Sequence, residues 1–233
     1  MKYTTFLILA LFVYQIGMAQ KSKDNKLTKA EKKAGYILLF DGKSLNGWRN
    51  FNAKTLNSQW VVNDNAIHLS DKKGGDIVFD KDFENFELLI DWKIAEAGNS
   101  GIFYKVVEGG NVKAIWHAAP EIQVLDNAKH ADNKIITHTA GSLYDLIAPP
   151  KDVTRPVGEY NRAKLVVNKG KVEHWLNGEK LLEVEINTPE WNELFGKSKF
   201  NKYPQFAQAA VGKIALQDHS DKVWFKNIKI KLL

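Results

Sequence analysis

Between Phe86 and Ile94 an apolar side chain recurs at every second position, with Leu89 the one apolar residue among those between. Phe86, Leu88, Ile90, Trp92 and Ile94 are apolar, and Glu87, Asp91 and Lys93 stand between them. A repeat of two puts one set on a buried face and the other towards water, which is the pattern of a β-strand and cannot serve a helix. Shorter runs repeat the pattern. Leu165-Val-Val167 and Val172-Glu-His-Trp-Leu176 flank Asn168-Lys-Gly170, and Asn177-Gly178 precedes Lys180-Leu-Leu-Glu-Val-Glu-Ile186. The first is a turn signal for a hairpin, and the second marks a tight turn. Ile228, Ile230 and Leu232 alternate with lysines at the end of the chain. About a dozen such strands follow one another at short spacing. One helix is expected among them, with Thr188 as cap, Pro189 in the first turn and Gly196 at its end. Strands that succeed one another without crossover helices form antiparallel sheets, so the fold class is an all-β sandwich of two sheets.

The ends of the chain are different. Lys2 precedes an apolar run from Phe6 to Ile16, and Gly17-Met-Ala19 supplies small residues for cleavage, so residues 1–19 read as a secretory signal peptide. The run is too short to cross a bilayer comfortably. Residues 20–34 carry six lysines against Asp24 and Glu31 and read as a polar spacer. The body is residues 35–233. The formal charge of +6 sits mainly in the two leading segments; from Gly35 on, 26 basic residues face 25 acidic ones. A nearly neutral body argues against a nucleic-acid partner. The expected protein is periplasmic or secreted, free of the membrane after signal cleavage. With no cysteine in the chain, disulfides, thiolate metal sites and cysteine nucleophiles are excluded.

Polar residues that could carry chemistry gather in three places. In Glu121-Ile-Gln-Val-Leu-Asp126, Glu121 and Gln123 share one strand face, and Ile122 and Val124 share the other. This places Glu121 and Gln123 on an exposed concave face and the aliphatic pair in the core. Trp116, His117 and Pro120 precede the strand, and Asp126 and His130 follow it. An aromatic ring beside polar groups suits a sugar, whose C–H faces stack and whose hydroxyls pair. In Asn99-Ser-Gly-Ile-Phe-Tyr-Lys105, simple alternation puts Gly101, Phe103 and Lys105 on one face. In Leu216-Gln-Asp-His219, Gln217 and His219 share a face, and histidine can exchange a proton near neutral pH. His174 lies in phase with Val172 and Leu176, which points to packing. The chain lacks His-Glu-x-x-His, Gly-x-Ser-x-Gly and the phosphate-binding glycine loops. A second carboxylate in phase with Glu121 is also missing, so a two-carboxylate glycosidase is poorly supported.

Taken in order, Leu39-Phe-Asp-Gly-Lys-Ser-Leu-Asn-Gly-Trp48, Asn99-Ser-Gly-Ile-Phe-Tyr104, Glu121-Ile-Gln-Val-Leu-Asp126, Gly141-Ser-Leu-Tyr-Asp145, His174-Trp-Leu-Asn-Gly178, Leu216-Gln-Asp-His219 and Phe225-Lys-Asn-Ile228 resemble the bacterial 3-keto-disaccharide hydrolase domain, also described as 3-keto-glucoside 1,2-lyase and 3-keto-2-hydroxy-glucal hydratase. The resemblance implies a concanavalin A-like jelly roll acting on an oxidised glucoside or disaccharide, with a sugar 3-dehydrogenase upstream. Lys105 and Lys226 stand where arginine is usual, which keeps the charge but loses the planar fork. A C3 ketone acidifies the C2 proton, and the enolate left by its removal can expel the C1 oxygen. Such chemistry requires a base, a charge-stabilising group at O3 and an acid. The expected assignments are Glu121 as base, Lys105 at O3 and His219 as acid. Gln123, Asp126, Trp116, His138, Tyr144 and Gln217 would hold the sugar. The residues specify no cofactor, and a divalent metal on Glu121, Asp126 or a histidine could take the place of Lys105. The alternatives are a lectin-like module that only binds sugar and a conventional glucan glycosidase.

Overall fold

The computed structural model describes residues 24–233. The expected leader, residues 1–19, lies outside the described residues. In chain order the strands are β1 (Ile37–Leu38), β2 (Trp48–Asn50), β3 (Trp60–Asn63), β4 (Ala66–Leu69), β5 (Ile77–Phe79), β6 (Phe86–Ile94) and β7 (Asn99–Val106). They continue as β8 (Glu121–Leu125), β9 (Asn161–Asn168), β10 (Lys171–Leu176), β11 (Glu179–Glu185), β12 (Lys213–Leu216) and β13 (Val223–Leu232). All pair antiparallel. One sheet runs β11-β10-β9-β6-β13-β4-β3 with β1 also on β13, and the other runs β2-β5-β12-β7-β8. The two sheets pack as a β-sandwich, the class expected from the sequence.

The long strand β6 obeys its alternation. Phe86, Leu88, Ile90, Trp92 and Ile94 are all buried against the facing sheet. Hairpins form where the turn residues stand. Lys169 and Gly170 join β9 to β10, Asn177 and Gly178 join β10 to β11, and all four have positive φ, as the type I′ turn requires. In β13 the alternation breaks at a bulge, where Asn227 has φ 53°. Phe225 and Ile228, three residues apart, therefore both enter the core.

The helix α2 (Pro189–Lys197) is capped by the Thr188 side chain, which accepts from the Trp191 backbone. It passes through Gly196 and ends at Ser198, two residues later than expected. The segment read as a spacer makes extensive contact with the large sheet. It contains a short helix, α1 (Lys29–Lys33), closed by a Thr28–Glu31 capping box. Asn25 and Asn227 exchange backbone-to-side-chain hydrogen bonds in both directions, and Glu31 pairs with buried Lys229 at 2.7 Å.

Candidate active site

Strand β8 is the edge of the small sheet, and its outer side is covered by the segment around Gly141–Tyr144. The Gln123 amide donates to Ser142, Gly141 donates to Gln123, and Tyr144 donates to Glu121. This strand-like docking sets Tyr144 beside Glu121. On the inner side, β7 aligns Phe103 with Glu121 and Gly101 with Gln123. Gly101 matters here because it lacks a side chain. A Cβ at that position would lie 1.8 Å from Glu121 Oε1, so the carboxyl group occupies the space an alanine would fill. Beyond β7, the Gln217 amide donates to Gly101, and Ser100 Oγ donates to the Gln217 carbonyl. Glu121, Gln123, Gln217 and Asn99 thus face one cavity of about 220 Å³, bordered by Trp116, Tyr144, Lys199, Lys202 and His219.

Charge and hydrogen bonding give that cavity its character. Glu121 is only 4% exposed. Burial drives its carboxyl well above the usual carboxylate range, the Lys199 charge opposes the shift, and Asp76 adds to it. Asp76 is itself pushed up to about 6, again by burial. Lys199 donates to the Tyr144 hydroxyl at 3.0 Å and lies 4.2 Å from that ring's centre. Lost hydration pulls its ammonium pKa down, while Asp145 and Glu121 hold it up. Both amide atoms of Gln123, Asn99 Oδ1 and Gln217 Oε1 are buried without a hydrogen-bond partner. A buried polar group left unpaired costs about 1–3 kcal/mol, so several around one cavity call for hydrogen-bonding partners inside it.

The structure brings together Glu121, Gln123, Gln217, His219, Tyr144 and Trp116, as the sequence suggested, but it corrects four expectations. The face bearing Glu121 and Gln123 is buried, because the 3-10 turn at Ile115–His117 and the segments holding Tyr144 and Lys199 wall it in. Ile122 and Val124 do enter the core, so the register stands. Lys105 lies outside this cavity. Val106 pairs with Lys213 and Phe103 with Ala215, so β7 carries an extra residue, and Lys105, at φ 57°, is turned off the face of Phe103. A bulge reverses alternation, and this one sends the lysine to another cavity, beside Glu84 and Lys169. Asp126 is likewise elsewhere. Its oxygens accept from the Ala97, Ala128 and Lys129 backbone amides, fixing the turns at the end of β8. His138 stands behind the site: it bonds Asp145 at 2.9 Å and stacks on Tyr144 at 4.3 Å, bracing that ring. The sequence reading missed Lys199 and Lys202, whose lysine-rich surroundings resemble any solvated turn, and it left Asn99 as part of a motif.

His174 is fully buried, as its phase implied. It reaches across the sandwich to the Tyr104 hydroxyl at 3.1 Å, and burial lowers its pKa to about 4. Glu121 and Asp126 line different cavities. His130, His219 and Asp221 do converge, with one ligand atom of each within 4.8 Å of the others. However, His130 Nδ1 accepts from the Asp132 amide, which leaves its proton on Nε2. Metal-bound histidines hold the opposite arrangement, donating from the second nitrogen to an acceptor, so His130 is not set up as a ligand through Nε2.

Two antiparallel sheets, with an acid and several amides sunk in one of them, define a jelly-roll sandwich carrying a carbohydrate-type site. The chain belongs to the 3-keto-alpha-glucoside-1,2-lyase-like domain family, whose profile matches residues 35–231. A 3-keto-disaccharide hydrolase of Bacteroides thetaiotaomicron is 40% identical over 228 residues, covering 85% of this chain and 79% of that protein. Among solved structures, a protein of Parabacteroides distasonis described as a candidate glycosyl hydrolase superposes with a TM-score of 0.85 at 37% identity, covering 91% of this chain and all of the other. A second protein so described from that organism gives 0.62 at 27%, covering 86% and 88%. A Bacillus subtilis protein with a galectin-like fold, 16% identical with a TM-score of 0.50 over 79% and 89% of the two chains, shares the fold alone.

Proposed function

We propose that this protein cleaves the glycosidic bond of 3-keto-glucosides by elimination followed by hydration. The observation that carries the reading is Glu121, a buried carboxyl with a raised pKa set over Gly101 and ringed by unpartnered amides. The family and the hydrolase relative supply the substrate class. Glu121 takes the proton from C2, and the electrons pass into the C3 carbonyl as an enolate. The enolate then forms the C1=C2 double bond as the bond from C1 to the leaving oxygen breaks. Water added across that double bond, hydroxyl to C1 and proton to C2, completes a net hydrolysis. A raised pKa suits a base, because it brings proton affinity towards the working pH.

Lys199, which takes the part expected of Lys105, and the Tyr144 hydroxyl that it contacts stabilise the charge on O3. His219, exposed at the mouth, donates its own proton to the leaving oxygen and regains one from the water that adds to C1, while Glu121 gives the C2 proton back. Gln123, Gln217 and Asn99 pair with hydroxyls, and Trp116 supplies a ring for a C–H face. The substrate is the product of a sugar 3-dehydrogenase, and the protein acts outside the cytoplasm once residues 1–19 are removed.

The test sets Glu121→Gln against wild type on a 3-keto-β-glucoside and on its unoxidised parent. The variant keeps its fold and loses turnover by about 100-fold or more, and neither protein cleaves the parent. A fully active variant refutes the role of Glu121. Comparable cleavage of the parent restores the conventional glycosidase.

A further inference from the structure

Lys105, diverted by the β7 bulge, points into a second cavity of about 220 Å³ at a different place on the sandwich. Its backbone is pinned there, since a Cβ on Gly212 would lie 2.4 Å from the Lys105 carbonyl carbon. The residue is 7% exposed, and among the described residues its ammonium has neither an ion pair nor a hydrogen bond. The contrast with Lys229 is sharp: that lysine is 3% exposed and pairs with Glu31 at 2.7 Å. Buried charges are ordinarily paired, because desolvation without a partner is expensive. Burial accordingly pulls the Lys105 pKa down, with Glu84 offering a counteracting attraction from beyond ion-pair distance.

The neighbouring groups favour a negative guest. Asn85 Oδ1 already accepts from the Lys169 amide at 2.6 Å, which leaves its NH₂ group as the free end. Gln208 spends its NH₂ on Asn187 Oδ1 and the Phe206 carbonyl. Lys169, an exposed residue, also borders the cavity, and Val167 and Ile186 supply an apolar lining. Glu84 is the one acid in the lining; it is exposed, so water screens its repulsion of an anion.

We propose that this cavity binds a small oxyanion, a phosphate, a sulfate or a sugar carboxylate, on the Lys105 ammonium with the Asn85 amide and Lys169 as further donors. The site is separate from the Glu121 cavity and independent of the reaction assigned there. Calorimetric titration of the intact protein with inorganic phosphate, sulfate and glucuronate, each in chloride buffer, tests it. At least one binds, and Lys105→Met weakens that binding by about 10-fold or more, the scale of one charge-assisted hydrogen bond. Phosphate and sulfate binding without glucuronate identifies an inorganic ion, and tighter glucuronate identifies an acidic sugar. In the chloride buffer without added oxyanion, Lys105→Met melts no lower than wild type, because a thioether replaces an unpaired buried charge. Should that variant fail to fold, Glu84→Gln serves instead and tightens binding. No binding of any of the three, or equal binding by wild type and variant, overturns the proposal.

Discussion

Gly101→Ala perturbs the Glu121 cavity without removing any polar group from it. The new methyl carbon would stand 1.8 Å from Glu121 Oε1, 2.6 Å from Cδ and 2.9 Å from Cγ, whereas ordinary contact begins near 3.4 Å. The carboxyl must therefore retreat by about 1.6 Å. Gly101 does not have positive φ, so alanine suits its backbone and the effect is one of crowding. Overpacking at a buried position costs about 1–3 kcal/mol of stability. A displacement of about 1 Å at a reacting group costs roughly 100-fold in rate. The expectation is a folded protein with a modestly lowered melting temperature and turnover of a 3-keto-glucoside reduced by about two orders of magnitude. Circular dichroism melts and steady-state kinetics read the two effects separately. Wild-type turnover in a folded Gly101→Ala protein would show that the carboxyl position is irrelevant, and Glu121 could not be the base.

The fully buried His174 has a pKa of about 4 against an ordinary 6.5, so the unfolded chain binds the extra proton first and stability is lost as pH falls from 6.5 to 4. The loss is about 3 kcal/mol; because Asp76 and Glu121, with raised pKa values, titrate in the stabilising direction over acid pH, the assay is the stability difference between wild type and His174→Gln, and parallel denaturation curves at pH 7 and pH 4 refute it. Lys199→Met keeps the aliphatic stem and removes the charge beside Glu121 and Tyr144, so kcat falls by more than KM rises; an effect on KM alone reduces Lys199 to a binding group. Export predicts a mature N-terminus at Gln20 in periplasmic or secreted material, and intact cytoplasmic protein starting at Met1 as the main form contradicts it.

Strand alternation and turn chemistry are local properties, so much of this protein could be read from its sequence. Period two in Phe86–Ile94, the pairs Lys169-Gly170 and Asn177-Gly178, and Thr188 before Pro189 each act over a few residues and reappear in the structure unchanged. The pairing of Glu121 with Gln123 on one face belongs to the same kind of reading, as does the inward phase of His174. The motifs in order identified the family as well.

Three features depended on packing between distant segments. Lys105 left the face that alternation assigned to it because a bulge opposite Ile214 inserts one residue, and nothing in Phe103-Tyr-Lys105 marks a bulge. The depth of Glu121 is set by Tyr144, Trp116 and Lys199, which arrive from remote parts of the chain to wall in a face that looks solvated in sequence. Asp126 satisfies backbone amides of a turn rather than a ligand, and only the path of the 96–98 and 128–129 segments decides that. The sequence determined the strands, their faces and the polar residues that could meet. The tertiary structure decided which of them share a cavity, because burial and charge depend on neighbours that the chain brings together only when the two sheets close.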